Sequence, residues 1–145
     1  MNKITRIAII LTATAILVFG WYQAIAFTKL TSSVAFKTEE QKLQHKQDLW
    51  ISALELCESS GNPDVVVLDI NNEYSYGAFQ FQKNTFYQYG MKYGLLEKDF
   101  PLEETANIIT DYSLQRKIAE RMLEDGLANH WFNCKTKIGK AFPVK

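Results

Sequence analysis

The first 27 residues limit how much of this chain can form a folded domain. Lys3 and Arg6 precede an apolar run over residues 7–20, and the small residues Ala24-Ile25-Ala26 follow it. A charged start, a short apolar run and small residues at a cleavage site are typical of a secretory signal peptide. If the apolar stretch is extended to Phe27, it contains about 20 residues and is also long enough to cross a bilayer.

We therefore divide the chain into three parts. Residues 1–27 are predicted to be a signal peptide or a membrane anchor, and residues 28–38 a short tether. The remaining residues 39–145 suffice for one compact domain but hardly for two. In both interpretations this domain lies outside the cytoplasm, and it stays at the membrane if the first segment is not cut off.

Charge and composition exclude several classes of function. Lysine and arginine together number 16, as do aspartate and glutamate. Because two of the basic residues belong to the export segment, the domain itself is slightly acidic, which disfavours nucleic acid as a partner. Hydrophobic residues make up 47% of the chain and charged residues 22%, a balance that favours a folded domain. We predict no cofactor.

Two cysteines, Cys57 and Cys134, lie far apart in the sequence. In an oxidising compartment a disulfide is the favoured interpretation, and a pair of free buried thiols is the alternative. His45 and His130 are not spaced with the cysteines as metal ligands would be, so no metal site is predicted.

Periodicity predicts an α+β domain that is mainly α-helical, with a small β-hairpin. A first helix runs from Glu39 to Glu58 with an apolar stripe, and Gly61 and Pro63 end it. The stripe is assigned to Trp50, Ile51, Leu54, Leu56 and Cys57. The β-branched run 65–68 predicts a strand, residues 69–73 a turn, and residues 74–81 a returning strand.

Helices are predicted for most of the remaining chain. One is centred on Phe86, and another begins after Pro101. The clearest helix is capped by Asp111, carries an apolar stripe that includes Ile118, and ends at Gly126. A short final helix over residues 127–133 is expected to return Trp131 and Cys134 to the core.

Glu58 is the candidate catalytic residue, because it ends an apolar-faced helix where the chain must turn. Partial burial and the negative end of the helix dipole both disfavour a carboxylate, so we expect the pKa of Glu58 to be raised. A raised pKa suits a general acid near neutral pH. The alternative is an ordinary solvated carboxylate beside the turn.

Two motifs resemble the lytic transglycosylases of the soluble lytic transglycosylase type, in the lysozyme-like superfamily. The family's Glu-Ser-x-x-Asn-Pro corresponds to Glu58-Ser59-Ser60-Gly61-Asn62-Pro63, and its Gly-x-x-Gln to Gly77-Ala78-Phe79-Gln80, preceded by Ser75-Tyr76. The resemblance implies a lysozyme-like fold and cleavage of the glycan strands of peptidoglycan. It also implies that one carboxylate, Glu58, serves as acid and then as base, which leaves an anhydro product.

The resemblance also assigns the residues around Glu58. It implies that Ser59 helps to hold substrate and that Gly77 and Gln80 line the cleft, with Asn62-Pro63 as a structural turn. The predicted substrate-binding residues are Ser59, Ser75, Tyr76, Gly77 and Gln80. Aromatic side chains that could stack on sugars are Tyr74, Tyr76, Phe79, Tyr112 and Trp131.

Three alternatives stay open. A hydrolytic lysozyme needs a second carboxylate, for which Asp69 and Glu73 in the predicted turn are the candidates. The family's downstream Ala-Tyr-Asn segment does not occur here. Either Tyr112 or another tyrosine takes the place of the family's tyrosine, or the cleft is truncated. A non-catalytic module for wall binding or assembly would follow from a truncated cleft. A small envelope component that docks a secretion or pilus apparatus is a further alternative.

Overall fold

A computed structural model of the chain describes residue 21 and residues 36–144. The chain forms two compact units, Met1–Lys42 and Leu43–Lys145. In the first unit, Trp21 and residues 36–42 are helical. The predicted export segment apart from Trp21, and the tether up to residue 35, lie outside the described residues. No helix in the described part of the chain combines the length and apolarity that crossing a bilayer requires.

The second unit is mainly helical and carries one small sheet, as the sequence predicts. It begins with helical residues 43–59, here called α1. The later helices and strands follow in chain order: β1 Val66–Leu68, β2 Tyr74–Tyr76, β3 Phe81–Gln82, α2 Lys83–Lys92, a 3-10 turn Leu102–Glu104, α3 Thr105–Ile108, α4 Tyr112–Glu124, a 3-10 helix Ala128–Trp131 and α5 Phe132–Ile138.

The predicted hairpin is present, but its second strand is shorter than expected. The sheet is antiparallel in the order β1-β2-β3, and Val67 pairs with Ser75. The returning strand was predicted to continue to Phe81. Instead it stops at Tyr76, because Gly77 and Gln80 have positive φ angles and turn the chain into a third strand.

The buried stripe of α1 consists of Trp50, Ile51 and Leu54. The assignment of Leu56 to this stripe was wrong, since its side chain is 66% exposed. Successive helical residues are rotated by about 100°, so Leu56 lies about 200° from Leu54 and points to the opposite face. The helix ends at Ser59, and the positive φ angles of Ser60 and Gly61 then turn the chain.

The core lies between the sheet and helices α1, α2 and α4, and aromatic rings fill much of it. Phe81 contacts Phe86 and Trp131 edge-on, with ring centroids 5.9 and 5.5 Å apart. The indole Nε1 of Trp131 donates to the carbonyl of Phe79 over 2.8 Å. The 3-10 helix is thereby fixed against the turn between β2 and β3. The predicted return of Trp131 and Cys134 to the core is confirmed.

Helix α4 follows the prediction from the sequence. The Asp111 carboxylate accepts from the amide of Leu114 over 2.9 Å and caps the helix, and Ile118 is fully buried. The periodicity did not indicate the buried Gln115 on the same helix. Its Oε1 accepts from the amide of Phe79, and its Nε2 donates to the carbonyls of Tyr76 and Ile109. Gln115 therefore positions the β2–β3 turn.

The predicted disulfide between Cys57 and Cys134 is present, with their Cα atoms 5.7 Å apart. It joins the last turn of α1 to α5. Because both thiols are used, the alternative of two free cysteines is excluded.

Candidate functional site

A pocket of about 430 Å³ opens beside the end of α1. Its walls are formed by α1, the hairpin, the start of α2 and the 3-10 helix before α5. The lining residues are Glu58, Val67, Asp69, Ser75, Gln80, Phe81, Gln82, Thr85, His130 and Trp131. The volume lies within the range of about 300 to 1,000 Å³ that is usual for small-molecule sites.

Glu58 lies on the last turn of α1 and is half-buried in the pocket wall. Burial raises the pKa of Glu58 above its ordinary value, because the charged form loses solvation. The positive charge of Lys137 acts in the opposite direction and lowers this pKa, while the negative charge of Asp69 raises it. A carboxyl group of this kind keeps its proton to a higher pH than an exposed glutamate and can donate it.

Asp69 follows β1 directly and lines the same pocket. Its Oδ2 accepts hydrogen bonds from the hydroxyl of Ser75 and, over 3.0 Å, from the amide of Gln82. Ser75 is almost fully buried on β2, and Gln82 ends β3. All three strands therefore fix the carboxylate of Asp69 in one orientation. Asp69, a candidate second carboxylate from the sequence, thus lines the same pocket as Glu58.

Gln80 lines the pocket as the sequence predicts, from a backbone conformation that is uncommon for its residue type. Its φ angle is +51°, a left-handed value that costs about 1–2 kcal/mol for a residue with a Cβ atom. The side-chain Nε2 donates to the carbonyl of Gly77 over 2.8 Å and to that of Val65 over 3.4 Å. These bonds hold the β2–β3 turn closed at the pocket wall.

The structure does not bring four other predicted residues into the pocket lining. Ser59 is buried, and its hydroxyl donates to the carbonyl of Glu55 one turn back, so it supports the helix end. The backbone of Tyr76 and Gly77 lies against Gln115 instead. The Tyr76 carbonyl accepts from that side chain, and a Cβ atom at Gly77 would overlap its carboxamide. Glu73 is exposed at the end of the hairpin turn.

Tyr112 contacts α1 at Glu55. Its hydroxyl donates to Oε1 of Glu55 over 2.8 Å, one helical turn away from the candidate acid. The guanidinium of Arg116 lies against the same Glu55 carboxylate at 3.5 Å and completes a small polar cluster between α1 and α4. The replacement of the missing family tyrosine by Tyr112 stays a prediction, and the Tyr112 hydroxyl itself is bonded to Glu55.

Of the five aromatic residues considered for sugar stacking, the pocket contains Trp131. Phe79 is fully buried in the core, and Tyr74 is exposed on β2. Trp131 presents part of its ring to the pocket but is itself 5% exposed, so it forms a wall and not a free platform.

The sequence alone did not indicate His130 and Thr85 as pocket residues. His130 precedes Trp131 on the 3-10 helix, and its Nε2 lies 3.1 Å from the hydroxyl of Tyr89. Burial lowers the pKa of His130, which keeps the ring neutral near neutral pH.

Comparison of the chain with protein-family models, with curated proteins and with solved structures finds no match.

Proposed function

We propose that the chain is an exported enzyme that cleaves the glycan strands of peptidoglycan by lytic transglycosylation, on a lysozyme-like fold. One observation carries the proposal. Glu58, a half-buried carboxyl group with a raised pKa, lines a sugar-sized pocket that Asp69 also lines. The two motifs that resemble the family contain Glu58 and Gln80, and both residues line this pocket.

The proposed reaction begins with Glu58 protonated. Its proton passes to the glycosidic oxygen, the bond between that oxygen and the anomeric carbon breaks, and both bonding electrons leave with the oxygen. The anomeric carbon then carries positive charge, as in an oxocarbenium ion. The Glu58 carboxylate next takes a proton from a hydroxyl of the same sugar. That hydroxyl oxygen attacks the anomeric carbon and closes the anhydro ring, which regenerates the acid.

Asp69 has a defined place in this reaction. Its carboxylate is held by Ser75 and Gln82 through one oxygen, Oδ2, and no described residue donates to Oδ1. A negative charge fixed in the pocket stabilises the positive charge that develops at the anomeric carbon. Neither a metal nor a cofactor is part of this proposal.

A hydrolytic lysozyme is the second candidate, and the position of Asp69 is the observation that favours it. A second carboxylate opposite the acid can act as a nucleophile or activate a water molecule. The product then carries a reducing end and not an anhydro end. The pocket lining provides Asp69 for this role and not Glu73.

The disulfide supports export of the domain, because structural disulfides persist mainly in oxidising compartments. The proposal therefore includes an extracytoplasmic location, with the N-terminal segment either removed or retained as a membrane anchor. Local opening of the wall for a secretion or pilus apparatus would use the same chemistry.

The test is digestion of purified peptidoglycan with the full chain, followed by mass spectrometry of the released fragments. Anhydro ends support the transglycosylase, whereas reducing ends alone favour the hydrolase. Glu58→Gln keeps the shape of the side chain but cannot donate the proton, so it should release fragments at least about 100-fold more slowly. Glu103→Gln is the matched control, since Glu103 is exposed and lies on the 3-10 turn before α3.

Asp69→Asn separates the two reactions. A transglycosylase should lose part of its rate and still give anhydro ends, while a hydrolase that depends on Asp69 should lose its products. Asp64→Asn provides the same change at an exposed position outside the pocket lining. If the wild-type chain binds the glycan strands but leaves them intact, a non-catalytic wall-binding module replaces both proposals.

A further inference from the structure

Lys137 is a charged residue near Glu58 that neither motif contains. It lies on α5, three residues after Cys134, and residues spaced by three share one face of a helix. Cys134 is bonded to Cys57, the residue immediately before Glu58. The disulfide therefore fixes the Lys137 face of α5 beside the end of α1.

The titratable groups around Glu58 come from three different elements. Asp69 follows β1, His130 belongs to the 3-10 helix, and Lys137 lies on α5. Burial keeps the His130 ring neutral near neutral pH, so it adds no positive charge there. Lys137 forms none of the ion pairs found among the described residues, and its ammonium group is exposed. Its charge is thus not neutralised by another carboxylate.

We propose that Lys137 is a positioning residue of the site, which stabilises the carboxylate that Glu58 becomes after it has given up its proton. This inference rests on the proposed role of Glu58. In the reaction, negative charge appears on Glu58 when the glycosidic oxygen receives the proton. Burial has the largest influence on how readily Glu58 releases its proton, and the charges of Lys137 and Asp69 then act on it in opposite directions.

The proposal predicts a direction for the pH profile. An acid catalyst must be protonated at the start, so kcat/KM falls as pH rises through the pKa of Glu58. Removing the positive charge of Lys137 should raise this pKa. The falling limb of the kcat/KM profile should then move to higher pH. The plateau at lower pH should decrease, because Glu58 becomes a weaker acid. Added salt should reduce the difference from wild type, because Lys137 is exposed.

The experiment compares three variants of the full chain with wild type. Lys137→Gln removes the charge, and Lys137→Arg keeps it. Lys135→Gln makes the same charge change on the same helix, about 200° around its axis, where Lys135 donates to Asn129 over 2.7 Å. Each protein is titrated by ¹³C NMR of the Glu58 carboxyl carbon, and kcat/KM is measured with peptidoglycan across the same pH range.

In Lys137→Gln, we expect the NMR titration midpoint of Glu58 and the falling limb of kcat/KM to move to higher pH together. In the other two variants, both should stay at the wild-type pH. An unchanged midpoint in Lys137→Gln would overturn the inference, as would an equal change in Lys135→Gln. A higher KM in Lys137→Gln, with the falling limb of the pH profile unchanged, would also overturn the inference. Lys137 would then bind substrate directly. The NMR titration needs no turnover, so it tests Lys137 even if the chain cleaves no glycan and the proposed function fails.

Discussion

Opening the Cys57–Cys134 disulfide should remove much of the stability of the domain. The bond links residues 77 positions apart and so closes a long loop in the unfolded chain. In the chain-entropy treatment, a loop of that length restricts the unfolded state by about 4.5 kcal/mol at 25 °C. Domains of this size are stable by only about 5–15 kcal/mol, so reduction should remove roughly a third or more of the free energy of unfolding.

The assay is urea unfolding at 25 °C, with and without a reductant, followed by the fluorescence of the buried Trp131 and by circular dichroism. A double variant, Cys57→Ala/Cys134→Ala, is the control, because a reductant should not change its unfolding midpoint. The reasoning fails if reduction lowers the free energy of unfolding of the wild type by less than about 1 kcal/mol. It also fails if the reductant shifts the double variant to the same extent.

Three further predictions concern single side chains. Since the folded-state pKa of Glu58 is raised, its contribution to stability is full below its ordinary value of 4.5 and is lost as pH rises through the folded-state pKa. Urea unfolding over a pH series should therefore show Glu58→Gln gaining stability relative to wild type as pH rises, and a constant difference would contradict the burial of Glu58. Gly77→Ala should lower the free energy of unfolding by at least about 2 kcal/mol, through its positive φ angle and its overlap with Gln115. Gly94→Ala, with a similar φ and open space, should cost only about 1–2 kcal/mol, and equal losses would refute the overlap. Asp111→Ala should cost about 1 kcal/mol in the same assay by removing the α4 cap, and an unchanged stability would show that the cap contributes nothing.

Local patterns in the sequence predicted most of the secondary structure. Helix α4 follows from its cap, its apolar period and Gly126, all of which lie within one short segment. The hairpin follows from the β-branched run and the turn after it. The break at Gly77 was missed because it depends on Gln115, a residue 38 positions later that packs against the turn. No local pattern contains that contact.

The candidate site was predicted only in part, for a related reason. Glu58, Asp69 and Gln80 lie near one another in the sequence, and the hairpin brings them to one pocket. His130 and Trp131 reach the same pocket from the far end of the chain, through the core and the disulfide. The bond from Tyr112 to Glu55 was not predicted, because it joins residues 57 positions apart on α4 and α1, which no local pattern relates.

The rate at which Glu58→Gln releases glycan fragments from peptidoglycan, relative to wild type, tests the central claim most directly. General acid catalysis contributes about 10²–10⁴-fold, so the variant should be slower by at least about 100-fold while Glu103→Gln keeps the wild-type rate. Equal rates for wild type and Glu58→Gln would show that this carboxyl group is not the proton donor.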